Sequence, residues 1–133
     1  MNDKESSNNN MGVGYRLVNI DKKHQVGFYK IDTGTKLREL SGTIIASTIV
    51  TYYLLTNTGD RIGFVNDTED CFIVCGQNYK SDYFIDFVDV TEKIIEELIE
   101  KKIIKDNGII WIDKEENLFN RDLTNIWDPK IKV

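Results

Sequence analysis

Along the first part of the chain, apolar positions recur at every second residue, which is the spacing of strands that bury one face. The runs GYRLVNI and QVGFYKI show this alternation at Tyr15 and Leu17, and at Val26 and Phe28. They predict a β-hairpin with its turn near residues 21–24. The runs RIGFV and CFIVC predict a second pair of short strands, which holds the acidic loop NDTED between them. The run YFIDFVDV favours a further strand or an extended segment.

Three segments carry helical signals of different strength. The short run TKLREL predicts one or two helical turns. In residues 43–56 the β-branched content favours a strand, whereas the length without a turn signal and the closing sequence NTG favour a buried helix, which we predict. Residues 89–105 predict the clearest helix. There Asp89 and Glu92 have capping-box spacing, and the apolar residues that follow recur near one helical face.

The C-terminal third is predicted to add one strand and one more helix. The sequence NG ends the preceding helix, and IIWI has the composition of a strand. Residues 113–127 then repeat the helical pattern, with Asp113 as the cap and the sequence DP at the end. The apolar stripe of this helix is expected to be core, so Phe119 and Trp127 should be largely buried.

The order of the elements, mainly strands first and helices later with short connections, indicates an α+β domain. We predict a small, mostly antiparallel sheet with about three helices packed on it. Residues 1–10 are polar and carry too little apolar surface to fold, so they are predicted to be a disordered tail. Residues 11–133 are predicted to form a single globular domain.

Composition and charge narrow the classes of partner. The 133 residues are 41% hydrophobic and 29% charged, which suits a packed core, and the formal net charge is −5. A negative chain is poorly suited to a phosphate backbone, so we expect no direct nucleic-acid partner. No apolar run approaches the ~18 residues of a spanning helix, and the polar start does not match a secretory signal. The chain is therefore predicted to be cytoplasmic, without a membrane partner and with reduced cysteines.

Residues that carry most enzyme and metal chemistry are scarce. His24 is the only histidine, which excludes multi-histidine metal sites. Cys71 and Cys75 lack the spacing of zinc ligands, and on a strand they face the same side, where we expect them to lie in the core as inert thiols. The run DTED lacks the ligand spacing of a calcium loop, and there is no nucleophile elbow or Walker loop. We predict no catalytic residue, no metal, no cofactor and no enzymatic activity.

Negative charge is concentrated in the middle of the sequence. From Asp60 to Glu92 there are eight carboxylates and two cations. Aromatic residues are interleaved with these acids, a mixture that suits a protein interface. We predict that this stretch binds a basic protein partner through Asp67, Glu69, Asp70, Tyr79, Asp82, Tyr83 and Asp86. By analogy of class alone, toxin-immunity proteins and inhibitors are small acidic domains that bind and neutralise a partner in this way.

Several other interpretations stay open. The acids are compatible with a merely solvated surface, because charged runs usually are one. The helix, Asn-Gly turn and strand in residues 96–112 also occur in winged-helix domains, which would make the chain a small adaptor or regulatory domain. An enzyme that uses the acidic residues or Cys71 is a further alternative. Homo-oligomerisation is left open by the sequence.

Overall fold

The computed structural model describes residues 13–127 as one α+β domain, which confirms the predicted fold class. The helices are α1 (Leu37–Gly42), α2 (Ile44–Thr56) and α3 (Thr91–Glu100), with a short 3₁₀ helix at Ser81–Phe84. The strands are β1 (Tyr15–Asn19), β2 (His24–Val26), β3 (Ile62–Asn66), β4 (Cys71–Val74), β5 (Gln77–Lys80), β6 (Val88–Asp89), β7 (Ile104–Asp113) and β8 (Leu118–Asn125). The predicted tail at residues 1–10 and the expected helix end at residues 128–129 lie outside the described residues.

A four-stranded sheet forms the centre of the domain, in the order β3-β1-β2-β6. The predicted hairpin is confirmed, because β1 and β2 are antiparallel, with Leu17 opposite Val26 and Asn19 opposite His24. β3 is antiparallel to β1, whereas β6 is parallel to β2, so this sheet is mixed. Two separate hairpins, β4–β5 and β7–β8, contain the other strands.

The strands predicted to pair around the acidic loop, β3 and β4, do not pair with each other. β3 pairs with β1, whereas β4 pairs with β5, where Phe72 lies opposite Tyr79. The turn between β4 and β5 contains only two residues, so closing it costs little chain entropy. The nearest turn in sequence therefore selects the partner of β4. Residues 83–90, predicted to be extended, instead contain the end of the 3₁₀ helix and the short strand β6.

The helix predicted over residues 43–56 is confirmed as α2, in spite of its β-branched composition. Its buried residues share one helical face and are Ile45, Ala46, Ile49 and Tyr53. Threonine hydroxyls of α2 donate hydrogen bonds to carbonyl oxygens of the preceding turn, as Thr48 does to Ile44 at 2.7 Å. Burial of one face and these bonds accommodate residues that would otherwise favour a strand.

The central sheet is buried on both faces. Alternation along β1 directs Leu17 toward the core beneath α2 and α3, and Val18 toward the core beneath the β4–β5 hairpin. The helical core includes the fully buried residues Phe28, Ile49, Ile95 and Leu98. The opposite core includes Val18, Val65, Val74 and Phe84. The sheet therefore carries helices on one face and the β4–β5 hairpin with the 3₁₀ helix on the other.

α3 begins close to the predicted start but ends before residue 105. At its start, Asp89 Oδ1 accepts hydrogen bonds from the backbone N–H and the hydroxyl of Thr91, at 2.9 and 2.6 Å. At its end, Lys102 adopts a φ of 61°, a left-handed conformation that stops the helix. The Asn-Gly sequence predicted to end the helix lies within β7 instead, at an irregularity of the strand.

The helix predicted over residues 113–127 is wrong, because this segment forms a turn followed by β8. Asp113 does accept hydrogen bonds from two following backbone N–H groups, as a helix cap would, but the chain then reverses at Asn117, whose φ is 57°. β8 pairs with β7, and Trp111 packs edge-on against Phe119, with 5.7 Å between ring centroids. Cross-strand pairing therefore overrides the helical spacing of the apolar residues.

The burial expected of the C-terminal aromatic residues is also wrong. Trp127 is 52% exposed, and Phe119 is only partly buried. Alternate residues of a strand face opposite sides, and the residue of β8 that reaches the core is Leu123. The C-terminal strand therefore joins the core through an aliphatic side chain rather than through the predicted aromatic stripe.

Candidate protein-binding surface

The two segments predicted to bind a partner lie side by side. The N–H of Ser81 donates a hydrogen bond to the carbonyl oxygen of Asp70 at 2.7 Å, one step beyond the paired Cys71 and Lys80 at the end of the β4–β5 hairpin. This bond joins the loop at residues 67–70 to the 3₁₀ helix. We call the residues predicted for binding the acidic tyrosine patch, which comprises Asp67, Glu69, Asp70, Tyr79, Asp82, Tyr83 and Asp86.

The acidic loop is held in shape by its own side chains. Asn66 Oδ1 accepts hydrogen bonds from the N–H of Thr68 at 3.0 Å and from the N–H of Glu69 at 3.1 Å. Asp67 Oδ1 accepts a further bond from the N–H of Gly14 at 3.1 Å, which ties the loop to the residue before β1. A loop that is already ordered loses less entropy when it binds, so this geometry favours recognition.

The two tyrosines of the patch contact each other but differ in burial. Their ring centroids are 4.9 Å apart. Tyr83 is 43% exposed and stands edge-on against Phe84 and Phe87, with centroids 5.6 and 5.7 Å away. Tyr79 is partly buried and packs against the same Phe84, with 6.0 Å between centroids. Tyr83 is therefore the more accessible ring, on a base of packed aromatic side chains.

All five carboxylates of the patch are exposed, and none forms a salt bridge with another described residue. Some acids elsewhere are neutralised: Asp21 pairs with Arg61 at 2.9 Å, and Asp60 pairs with Lys22. The hydrogen bonds from Arg61 lower the pKa of Asp21 below its ordinary value. The patch, by contrast, keeps its charge available to an external cation.

The expectation that both cysteines lie in the core is wrong, because Cys71 and Cys75 are exposed free thiols. Along β4 the buried residues are Phe72 and Val74, so the odd-numbered residues face solvent. Cys71 is one of these outward residues, whereas Cys75 lies in the turn after β4, so the strand alternation predicted for the pair applies only to Cys71. Neither thiol hydrogen-bonds to the single histidine within residues 13–127.

A polar network around the single histidine was missed by the sequence analysis. His24 Nδ1 lies 3.1 Å from the hydroxyl of Tyr53. Close by, the fully buried Asn19 donates from Nδ2 to Asp60 Oδ2 at 2.8 Å. Burial lowers the pKa of His24, because it penalises the charged imidazolium. These residues are distant in sequence and share no spacing, so only the fold reveals the network.

Residues 13–127 contain neither a grouped set of metal ligands nor a helix that could span a membrane. Within residues 13–127, no three His, Cys, Asp or Glu side chains are grouped so that they could hold a metal ion. No helix of that region is both long and apolar enough to cross a membrane. In comparisons with known proteins, the chain matches no family model, no curated protein and no solved structure. The functional interpretation is therefore based on the geometry and charge of the chain itself.

Proposed function

We propose that this protein is a non-catalytic interaction protein that binds and neutralises a basic protein partner through the acidic tyrosine patch. One observation carries the proposal: five exposed carboxylates without a cation partner lie on two joined segments, next to the accessible ring of Tyr83. Toxin-immunity proteins and inhibitors act in this way, and the analogy is one of class alone.

The charges and the ring of the patch have different roles in binding. Exposed carboxylates attract a basic surface over roughly a Debye length, about 8–10 Å at physiological salt, and so raise the association rate. Tyr83 has few rotatable bonds and rests on Phe84 and Phe87, so its burial under a partner costs little side-chain entropy. Contacts of this kind slow dissociation.

Charge and thiol chemistry support the expected class of partner and compartment. The negative patch repels phosphate, so we propose no direct nucleic-acid partner. Cys71 and Cys75 are exposed and unpaired, which suits a reducing environment and supports our proposal of a cytoplasmic location.

The alternative functions have less support in the fold. A winged-helix domain needs a helix-turn-helix before its hairpin, whereas within residues 13–127 four strands separate α2 from α3. An enzyme needs a cleft that encloses its reactive groups. A groove of about 590 Å³ is lined by Tyr29, Glu96 and Phe119 among others, but Cys71 and the patch are not part of it.

The proposal is tested by capture of the partner and measurement of its binding. The first variant replaces Asp67, Glu69 and Asp70 by lysine. The control variant replaces Asp32, Glu100 and Glu116 by lysine, which changes the net charge equally. These acids are also exposed and form no salt bridge with another residue of 13–127. Wild type and control should retain the same basic protein from a lysate of the native host, and the loop variant should lose it.

Binding kinetics with the purified partner separate the two roles. The loop variant should associate more slowly and with weaker salt dependence, whereas Tyr83→Ala should mainly speed dissociation. Circular dichroism should show an unchanged fold for both. Equal loss of binding in the loop variant and the control would mean that binding depends on the net charge of the protein and not on the patch. Retention of the partner by the loop variant at low salt would refute the proposed role of the patch in binding.

A further inference from the structure

The β7–β8 hairpin leaves an unusual amount of apolar surface in solvent. Nine of the ten residues of β7 are exposed, and only Ile104 is buried. Five apolar residues of the hairpin are each at least 40% exposed: Ile109 (46%), Ile110 (40%), Trp111 (41%), Ile112 (62%) and Leu118 (52%). Because neighbouring strand residues point to opposite faces, this run presents apolar side chains on both sides of the hairpin. Contiguous apolar surface of this kind marks an interaction site.

The run IIWI at residues 109–112 of β7 has the composition of a strand within a sheet, but the position of β7 is that of an edge. An unbroken apolar run is typical of a strand that has neighbours on both sides and cover on both faces. Among the described residues β7 pairs only with β8. The outer edge of β8 is in use, because Arg121 exchanges backbone hydrogen bonds with Lys30 and Asp32, at 2.7 and 3.0 Å. The open edge therefore belongs to β7.

The hairpin is fixed to the domain, so its exposed part is presented in one orientation. Ile104 and Leu123 anchor its base in the helical core. The Arg121 guanidinium, whose side chain is 12% exposed, forms salt bridges with Asp106 on β7 and with Glu92 on α3. An arm held at its base in this way is preorganised for association.

We propose that β7 pairs with β7 of a second copy of this chain, antiparallel and about a two-fold axis. Two hairpins joined in this way make a four-stranded sheet. The exposed apolar side chains of each β7 then pack against those of the other copy, and the open edge of β7 is hydrogen-bonded. In an antiparallel pair, opposed residues both direct their N–H and C=O groups toward the other strand or both away from it. For two identical strands that pair through residues 109–111, the regular stretch between the two irregularities of β7, this rule requires that one residue lies opposite itself.

Charge complementarity selects the residue at the axis. With Trp111 at the axis, Asp106 would face the acidic Glu116 of the second copy. With Ile110 at the axis, Ile109 lies opposite Trp111, and the turn residues Lys114 and Glu115 of one copy come beside Asp106 and Lys105 of the other, where Lys114 joins Arg121 as a cation near Asp106. The second register places apolar residues together at the centre and opposite charges together at both ends. In this register, two copies of β7 are complementary to each other in both charge and apolar contact.

The oligomeric state tests the proposal. Sedimentation velocity of the full chain from about 1 μM to about 1 mM, the range in which weak association is measurable, should show the mass rising from monomer to dimer. Ile110→Lys should raise the dimer dissociation constant by more than about tenfold, since two ammonium groups would meet at the axis. Ile73→Lys is the matched control, because Ile73 is also an exposed strand isoleucine, 75% accessible, on the separate β4–β5 hairpin. It should leave the dimer unchanged.

Cross-linking tests the register independently of these variants. In a Cys71→Ser, Cys75→Ser background, Ile110→Cys should form a disulfide-linked dimer, because residues at the axis lie about 4.5–5.5 Å apart between Cα atoms. Ile112→Cys should not, since the two thiols would be about four residues, or ~13 Å, apart along the strands. A monomer at every concentration would overturn the proposal. A dimer that Ile110→Lys leaves intact, or equal cross-linking at both positions, would also overturn it.

Discussion

Val74 and Gln77 lie directly opposite each other in the β4–β5 hairpin, so Cys75 and Gly76 alone form the turn between the strands. Both turn residues have positive φ, 51° for Cys75 and 84° for Gly76. Positive φ at both positions defines the type I′ turn, whose preferred sequence is Asn-Gly. Glycine suits the second position, whereas cysteine at the first is held in a conformation that its Cβ disfavours.

Cys75→Asn should therefore stabilise the protein. Asparagine tolerates the left-handed conformation better than cysteine, so we expect the free energy of unfolding to rise by roughly 0.5–1 kcal/mol. Urea denaturation followed by fluorescence measures this as a higher midpoint with an unchanged slope. Cys71→Asn is the control, because Cys71 is a strand residue on the same hairpin and gains nothing from asparagine. If Cys71→Asn raised the free energy of unfolding and Cys75→Asn did not, the conclusion that the backbone is strained at Cys75 would be wrong.

Both thiols should react in the native state. Cys71 and Cys75 are exposed, so a thiol reagent should label two groups per chain without denaturant, at a rate close to that of an unfolded control. This reverses the sequence-based expectation of inert, buried cysteines. Labelling that waits for unfolding would mean that the hairpin is covered in solution.

Substitutions of Leu123 and Trp127 test whether the C-terminal segment is the strand seen in the structure or the helix predicted from the sequence. Leu123 is 8% exposed in the helical core, so Leu123→Ala should cost about 2–5 kcal/mol of unfolding free energy. Trp127 is 52% exposed, so Trp127→Ala should cost less than Leu123→Ala. Chemical denaturation of the two variants beside wild type gives both values. The reverse order would support the helical arrangement, in which Trp127 is core.

Local signals predicted the elements whose ends and faces are set by nearby residues. The β1–β2 hairpin follows from alternation at Leu17 and Val26, and α2 follows from its length and from the glycine beyond it. The segment after Asp113 was mistaken because an aspartate that accepts two backbone N–H bonds can begin either a helix or a tight turn. Only the pairing of β8 with β7 decides between them.

The proximity of the patch residues was predictable in part, and the histidine network was not predictable. The acids and tyrosines of the patch were selected by their interleaving in the sequence, and their role in binding stays a prediction; their proximity follows from the short turn at Cys75 and Gly76. Alternation along β4 does not tell which face is buried, and it does not extend to Cys75, which lies in the turn. The contact of His24 with Tyr53 depends on how β2 packs against α2, which no local pattern contains.

His24 should make stability fall between neutral and mildly acidic pH. Burial, with the positive charges of Lys22 and Lys93, lowers the pKa of this imidazole below its ordinary value of 6.5 in the folded chain, against an opposing effect of Asp60. The unfolded chain then binds more protons than the folded chain below about pH 6.5, so the free energy of unfolding decreases as pH falls through this window.

The thermal midpoint should therefore drop between pH 7.5 and pH 5, before the carboxylates lose their charge. The lowered pKa values of Asp21, Asp60 and Asp106 act in the same direction only around and below their ordinary value of 3.8. His24→Asn is the decisive variant, because the asparagine amide takes the place of Nδ1 and still reaches the Tyr53 hydroxyl but does not titrate. Since the chain has one histidine, this variant should show a nearly flat midpoint down to about pH 5. An undiminished slope in His24→Asn, or a wild type that is more stable at pH 5.5 than at pH 7.5, would show that His24 is not held neutral by the fold.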